Sequence, residues 1–201
     1  MDTLLSSMVH SLDSHPQVCD IDIKTQTPVL ENELSSWEYK HCVFLPTDLK
    51  EYYLTQNGML LTWSIKVGTN IYRVGRVAIC ELKEMVMIEI NHITKQLLLS
   101  NLPVKIIRID ENPSVGSICL LYKDRVGMEI DEKSIWEEPI IVLLRHGGKM
   151  EFLTKNFTNY LRLMVAYAGL EEWPNRVQGV PLSPVAKQWH YIMGKLTLIE
   201  D

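Results

Sequence analysis

The chain has 201 residues, 46% of them hydrophobic, and its 20 Lys and Arg against 25 Asp and Glu give a net charge of −5. This is the size of one domain with enough apolar material for its own core, which excludes collagen-like, low-complexity and disordered classes. With no basic excess and no run of five like charges, a nucleic-acid partner is not expected. Cys19, Cys42, Cys80 and Cys119 are spread too widely for a metal knuckle or redox pair and read as thiols in a reducing compartment. The first fourteen residues lack a basic, then apolar, leader pattern. No run is long enough for a membrane span, unbroken apolar stretches such as Ile140 to Leu144 being only a few residues.

In chain order, Leu4, Leu5, Met8, Val9 and Leu12 paint one helical face over residues 3–14, and Pro16 ends it. Val18 to Ile23 alternates with period two and predicts a strand, and residues 25–36, polar and interrupted by Pro28, predict a loop. Pro46 at a helix start, Asp48 and Glu51 near its positive end and Asn57-Gly58 at its stop predict a helix over residues 46–56. Two strand-like runs, 59–67 and 70–79, divide at Gly68. Residues 81–103, including Leu97-Leu98-Leu99, fit neither period. Residues 105–110 and 117–123 predict a hairpin around Asn112-Pro113. Further strands are expected at 133–137 and 140–145, before a turn at His146-Gly147-Gly148. Phe157, Tyr160, Leu161, Met164, Val165 and Ala168 predict a helix over 155–168. Ser183-Pro184 opens a last helix with Val185, Trp189 and Ile192 on one stripe. Strands clustered in the middle predict an α+β fold with a central antiparallel sheet flanked by N- and C-terminal helices. The expected unit is one domain over residues 1–201, with a core from about 3 to 195. Tyr53, Trp63, Phe157, Leu161 and Trp189 are expected to be buried.

No catalytic constellation emerges. An apolar strand ending in Arg145-His146-Gly147 resembles the opening of the histidine phosphatases, where the histidine accepts a phosphoryl group and the arginine holds the phosphate. There the motif opens the domain, whereas only 55 residues follow His146 here. No His-x-x-x-His pair, phosphate loop or nucleophile elbow occurs. No metal, cofactor or catalytic residue is therefore expected. Tryptophan is enriched at interaction hot spots. The stretch around residues 170–190 is expected to be irregular and stiffened by proline. Trp173, Pro174, Pro181 and Trp189 in it are the candidate partner-binding residues.

Several blocks resemble a known family. Leu45-Pro46, Asp48-Leu49-Lys50, Tyr53-Leu54 and Asn57-Gly58 are similar to the helix signature of the SUKH superfamily, cell-wall-regulator-like α+β interaction domains. Leu61-Thr62-Trp63-Ser64, Val115-Gly116, Ile118-Cys119-Leu120, Tyr122-Lys123, Ile135-Trp136, Phe152-Leu153-Thr154, Phe157 and Ser183-Pro184 with Ala186-Lys187-Gln188-Trp189 narrow the resemblance. They point to the branch formed by the second subunits of tubulin polyglutamylase complexes. The blocks keep their order from about residue 35 to 190. The resemblance implies a non-catalytic scaffold that binds other subunits, among them an ATP-using tubulin-tyrosine-ligase-like catalytic subunit. It also implies an indirect relation to tubulin and microtubules, and a place in the cytoplasm and cytoskeleton, at the centrosome or ciliary base. The family carries a longer acidic insert where residues 81–104 lie and a basic low-complexity tail that these 201 residues lack. The charge of −5 opposes direct capture of acidic tubulin tails. The other readings are a histidine-phosphatase-like enzyme and a SUKH module with a different partner.

Overall fold

The computed structural model describes residues 2–89, 104–124 and 136–193. The expected α+β class is what forms, but its strands are divided between two antiparallel sheets rather than gathered in one. The first has the order β1-β2-β3, with β1 Val18–Thr25, β2 Met59–Val67 and β3 Asn70–Ile79. The second has the order β4-β5-β6-β7-β8, with β4 Val86–Met87, β5 Val104–Asn112, β6 Gly116–Lys123, β7 Ile140–Arg145 and β8 Met150–Thr154. The Cys80 amide, just past β3, donates to the Ile109 carbonyl of β5 at 3.0 Å and joins them.

Six helices occur among the described residues: α1 Asp2–Asp13, α2 Glu31–His41, α3 Thr47–Thr55, α4 Phe157–Ala166, α5 Trp173–Val177 and α6 Pro184–Ile192. Helices are thus not confined to the two ends, because α2 and α3 lie between β1 and β2. The α2 segment overturns the loop expected over 25–36. Only Leu34 and Trp37 are buried apolar groups on it, too few to show a helical period, and the third buried residue is Glu38. That carboxylate accepts the Leu45 N–H and pairs with Lys50 at 2.7 Å, which offsets its burial. Glu33 accepts the Leu30 N–H at 3.0 Å and satisfies a donor at the helix start.

In α3, Pro46 is the N-cap rather than the first helical residue. Leu49, Tyr52 and Tyr53 face inward. Asp48 accepts both the N–H and the hydroxyl of Thr158, so one carboxylate ties the starts of α3 and α4. Asn156 caps α4 and Ser183 caps α6, each by accepting an N–H three residues on.

The ambiguous stretch after β3 forms a 3-10 turn over Leu82–Glu84 and the short β4, while residues 90–103, with Leu97-Leu98-Leu99, lie outside the described residues. The strand expected at 133–137 also begins outside them, and Trp136 makes a single bridge to Asp124. β8 was not anticipated and closes a hairpin with β7. The edge strand β1 carries a bulge at Asp20, whose φ is 52°.

One apolar cluster runs from Met8 and Leu12 of α1 to Trp189 and Met193, and it contains Tyr53, Trp63, Phe157 and Leu161 as expected. A smaller cluster of Ile106, Cys119, Leu121 and Val142 occupies the other face of the second sheet.

Candidate functional site

The C-terminal stretch that held the sequence candidates is a rigid structure built on the edge of the first sheet. Helix α4 stops at Ala168 and Gly169, both left-handed, with φ of 51° and 62°. A Cβ on Gly169 would stand 2.4 Å from the Arg76 carbonyl oxygen, so only glycine fits there. The chain then runs antiparallel along β3. Arg76 N–H donates to Gly169 O at 2.8 Å, Glu171 N–H donates to Val74 O at 3.2 Å, and Gly75 bridges Leu170. Where Gly75 leaves a gap, the buried Trp63 indole N–H reaches the Ala168 carbonyl at 2.8 Å.

Beyond this strip, α5 is a helical turn where an irregular segment was expected. Glu172, with φ of 57°, precedes it. Its carboxylate accepts Asn175 Nδ2 at 3.2 Å and the Ser183 N–H at 2.9 Å. Burial opposes ionisation of Glu172, but these bonds hold its carboxyl below the ordinary value. Arg145 locks the same turn to the second sheet. Nε donates to Glu151 at 2.6 Å, one terminal nitrogen to Asn175 at 2.7 Å and the other to Gln178 at 2.8 Å. Burial again opposes ionisation of Glu151, and the bonds from Lys149 and Arg145 hold it low. His146 sits exposed on the turn with Nε2 3.1 Å from the Pro113 carbonyl. Every guanidinium nitrogen of Arg145 thus serves the fold.

The four candidates separate. Trp173 and Pro174 are buried, the Trp173 ring stacking on Tyr167 at 6.1 Å and packing against Tyr160. Their place in this chain is packing, which the proline-rich sequence did not reveal. Pro181 is exposed. Trp189 is buried against the core but lays its ring 5.4 Å from Tyr72 of β3, which is open to solvent. Val185, expected to share the buried stripe, is exposed. Tyr72 was missed by sequence reasoning, since nothing in its neighbourhood distinguishes it until β3 is set beside α6. His190 is buried on the inner side of α6, its Nε2 2.9 Å from the Glu171 carbonyl and its Nδ1 without a hydrogen-bond partner.

Two clefts lie elsewhere. One of about 560 Å³ between the sheets is lined by Arg76, Arg108, Glu84, Asp110 and Glu111, with Cys80 among them. Both of its arginines are paired: Arg76 grips Asp110 with two bonds, and Arg108 pairs with Glu111 at 2.6 Å. Burial pushes Asp110 above the usual carboxylate value, opposed by Arg76. Burial pushes the Cys80 thiol up to about 12, which leaves it protonated and poorly nucleophilic. The other cleft, about 520 Å³, separates α1 from β1 and β2 and is mainly apolar. No group of three His, Cys, Asp or Glu is placed to hold a metal ion among the described residues.

Three curated proteins align along this chain, from Rattus norvegicus at 26% identity, Homo sapiens at 27% and Mus musculus at 25%. Each alignment covers 220 positions, 98% of this chain and 71–72% of the relative. All three bear one name. This chain is similar to tubulin polyglutamylase complex subunit 2. The similarity to these subunits takes in every element of both sheets and the whole C-terminal structure, since so little of the chain falls outside the alignment. No family model matches the chain, and no solved structure matches it.

Proposed function

We propose that this chain is a non-catalytic subunit of a tubulin polyglutamylase complex, an adaptor that holds other subunits while a separate ligase glutamylates tubulin. The observation that carries this reading is similarity over 98% of the chain to proteins named as the second subunit of that complex. The geometry supports the adaptor role over a catalytic one. Arg145 is spent on Glu151, Asn175 and Gln178, and both arginines of the charged cleft are held by carboxylates. The ATP-using catalyst is then a tubulin-tyrosine-ligase-like partner, and tubulin is met through it. The place of action is the cytoplasm and cytoskeleton, with the centrosome or ciliary base as the specific site. Among the described residues, no helix is long and apolar enough to cross a membrane. The helix signature around Asp48 to Gly58 supports placing the domain in the SUKH superfamily.

The test is affinity purification of the full chain from ciliated cells, with mass spectrometry of its partners and a glutamylation assay of the eluate. Recovery of polyglutamylase subunits, with activity that disappears when the ligase subunit is removed, is the expected result. Absence of those subunits, or glutamylation by the isolated chain, overturns it.

A further inference from the structure

One edge of the first sheet is left open. The far side of β3 is covered by residues 169–171, the Phe152 carbonyl of β8 is met by Gln178 Nε2 at 3.0 Å, and β4 is only two residues long. β1 spans eight residues and pairs with β2 alone. Which of its main-chain groups face outward follows from its neighbours. The Lys66 N–H donates to the Gln17 carbonyl at 2.8 Å, and on β3 the Arg76 N–H and the Val74 carbonyl are turned to the C-terminal strip. By alternation, Leu60 and Thr62 face β1. Their partners Lys24 and Asp22 therefore turn their main-chain groups to β2, and Ile23 and Thr25 turn theirs to the open side. Among the described residues, no main-chain bond beyond the ladder with β2 involves residues 22–25. The side chains of Ile23 and Thr25 line the apolar cleft beside α1 together with Met59 and Leu61, and Ile23 is 48% exposed. Asp22 and Lys24 project from the opposite face of the strand.

A row of unpaired N–H and C=O groups is matched by an extended strand. The side chains around it specify which one. An antiparallel newcomer needs an apolar residue opposite Ile23, a carboxylate opposite Lys24 and a cation opposite Asp22. β1 itself meets this pattern in one register. With Ile23 opposite its own counterpart, each Asp22 faces the other copy's Lys24, and each Thr25 faces Ile21. Two-fold registers centred on Asp22 or on Lys24 would set like charges against each other, and one centred on Thr25 would leave both charges without a partner. We propose that two copies of this chain pair antiparallel through β1, centred on Ile23, and join two three-stranded sheets into one of six strands. Ile23 of each copy then seats at the open side of the other's apolar cleft. The bulge at Asp20 ends the regular pairing, and the two charges reject strands that lack the complementary order. The edge is thus guarded against other partners while it fits its own copy. The Asp22–Lys24 contact within one chain is 3.4 Å long with both side chains more than half exposed, so exchanging it for contacts between copies costs little.

This inference is independent of the adaptor reading and is tested on the full chain alone. Sedimentation equilibrium at physiological salt, which screens the net charge of −5 on each copy, should show a concentration-dependent monomer–dimer equilibrium. Asp22→Lys and Lys24→Asp should each weaken the dimer about tenfold or more, since each sets like charges opposite one another across the pair. An equimolar mixture of the two variants should restore it, and so should the single chain that carries both changes. Ile23→Pro, which removes an N–H from the open edge, should abolish it. All variants are checked for an unchanged melting temperature, and the charge variants carry the test if Ile23→Pro fails to fold. A chain that stays monomeric at about 1 mM, or a dimer indifferent to the charge variants, overturns the proposal. Benzoylphenylalanine at position 23, irradiated in the complex assembled in ciliated cells, should crosslink to a second copy. Crosslinks to another subunit alone overturn the proposal, because the edge is then filled by a foreign strand.

Discussion

Gly75→Ala should be among the most damaging single-methyl additions in this chain. A Cβ there would lie 1.8 Å from Trp63 Nε1, 2.0 Å from Cε2 and 2.5 Å from Cδ1, where carbon atoms in contact need about 3.5 Å. The indole cannot retreat cheaply. It is fully buried, and its N–H is committed to the Ala168 carbonyl at 2.8 Å. Overpacking of this kind costs about 1–3 kcal/mol, and breaking the bond strands a buried donor and a buried carbonyl for about 1–3 kcal/mol more. A loss of about 3–5 kcal/mol is therefore expected, a large part of the roughly 5–15 kcal/mol that holds a domain together. For a chain of this size it corresponds to a fall in melting temperature of about 6–20 °C. Urea unfolding followed by far-ultraviolet circular dichroism measures it. Trp63→Leu supplies the control, because removing the ring should make the added methyl at least about 1 kcal/mol cheaper. A cost below about 1 kcal/mol for Gly75→Ala, or no coupling to Trp63, would show that the tryptophan does not thread past the glycine.

Leu161→Ala, on the buried face of α4, should cost about 2–5 kcal/mol in the same assay. A change under about 0.5 kcal/mol would contradict that burial. Arg145→Ala should cost about 2–4 kcal/mol and expose the 170–183 segment to hydrogen exchange, while His146→Ala should stay within about 0.5 kcal/mol. Phosphohydrolase turnover abolished by His146→Ala would revive the enzyme reading. Burial holds His190 below the ordinary 6.5, the nearby Arg176 adding to this and the Glu171 carbonyl and Glu172 opposing it. Its neutral form therefore supports the fold above pH 6.5. That support is lost as pH falls from 6.5 through the depressed folded value, by at most about 1.4 kcal/mol per pH unit. The unfolding midpoint should drop between pH 7.5 and 5.5, and His190→Phe should flatten the slope; an equal slope in both proteins would exclude His190 as its source. Limited proteolysis is expected to leave one core spanning about residues 3–195, as a single domain requires, and two stable fragments from a cut near residue 100 would refute it.

The elements legible in the sequence were those whose own ends carry the instructions. Helix α4 announces itself through the apolar stripe from Phe157 to Ala168 and the stop at Gly169, helix α6 through Ser183-Pro184, and the β5–β6 hairpin through its Asn112-Pro113 turn. Helix α2 was hidden because a buried Glu38, satisfied by Leu45 and Lys50, occupies a place where periodicity looks for an apolar group. The division into two sheets was hidden because the seam, the Cys80 to Ile109 backbone bond and the Arg76–Asp110 ion pair, joins distant parts of the chain and leaves no local pattern. For the site, the four candidate residues come apart in space, Trp173, Pro174 and Trp189 buried and Pro181 exposed. Trp173 packs on Tyr160 and Tyr167, which lie on another stretch of the chain, and the contact of Tyr72 with Trp189 exists only once α6 is laid against β3. Arg145 reads as a catalytic motif in the chain and as a clamp in space, because its partners Asn175 and Gln178 are 30 and 33 residues away.

The strip laid along β3 also sets an order of events during synthesis. Trp63 waits for a carbonyl 105 residues further on, and β3 receives the neighbour of Val74 and Arg76 only when residues 169–171 exist. A ribosome therefore releases the first three strands well before their edge can be sealed. Until then the nascent chain presents an open strand edge beside an unsatisfied indole, the kind of surface that chaperones shield. Chains halted after residue 155 should show the Arg76 amide exchanging freely, and chains extended past residue 171 should show it protected. Protection in the shorter chain would mean that the first sheet completes itself without its C-terminal seal.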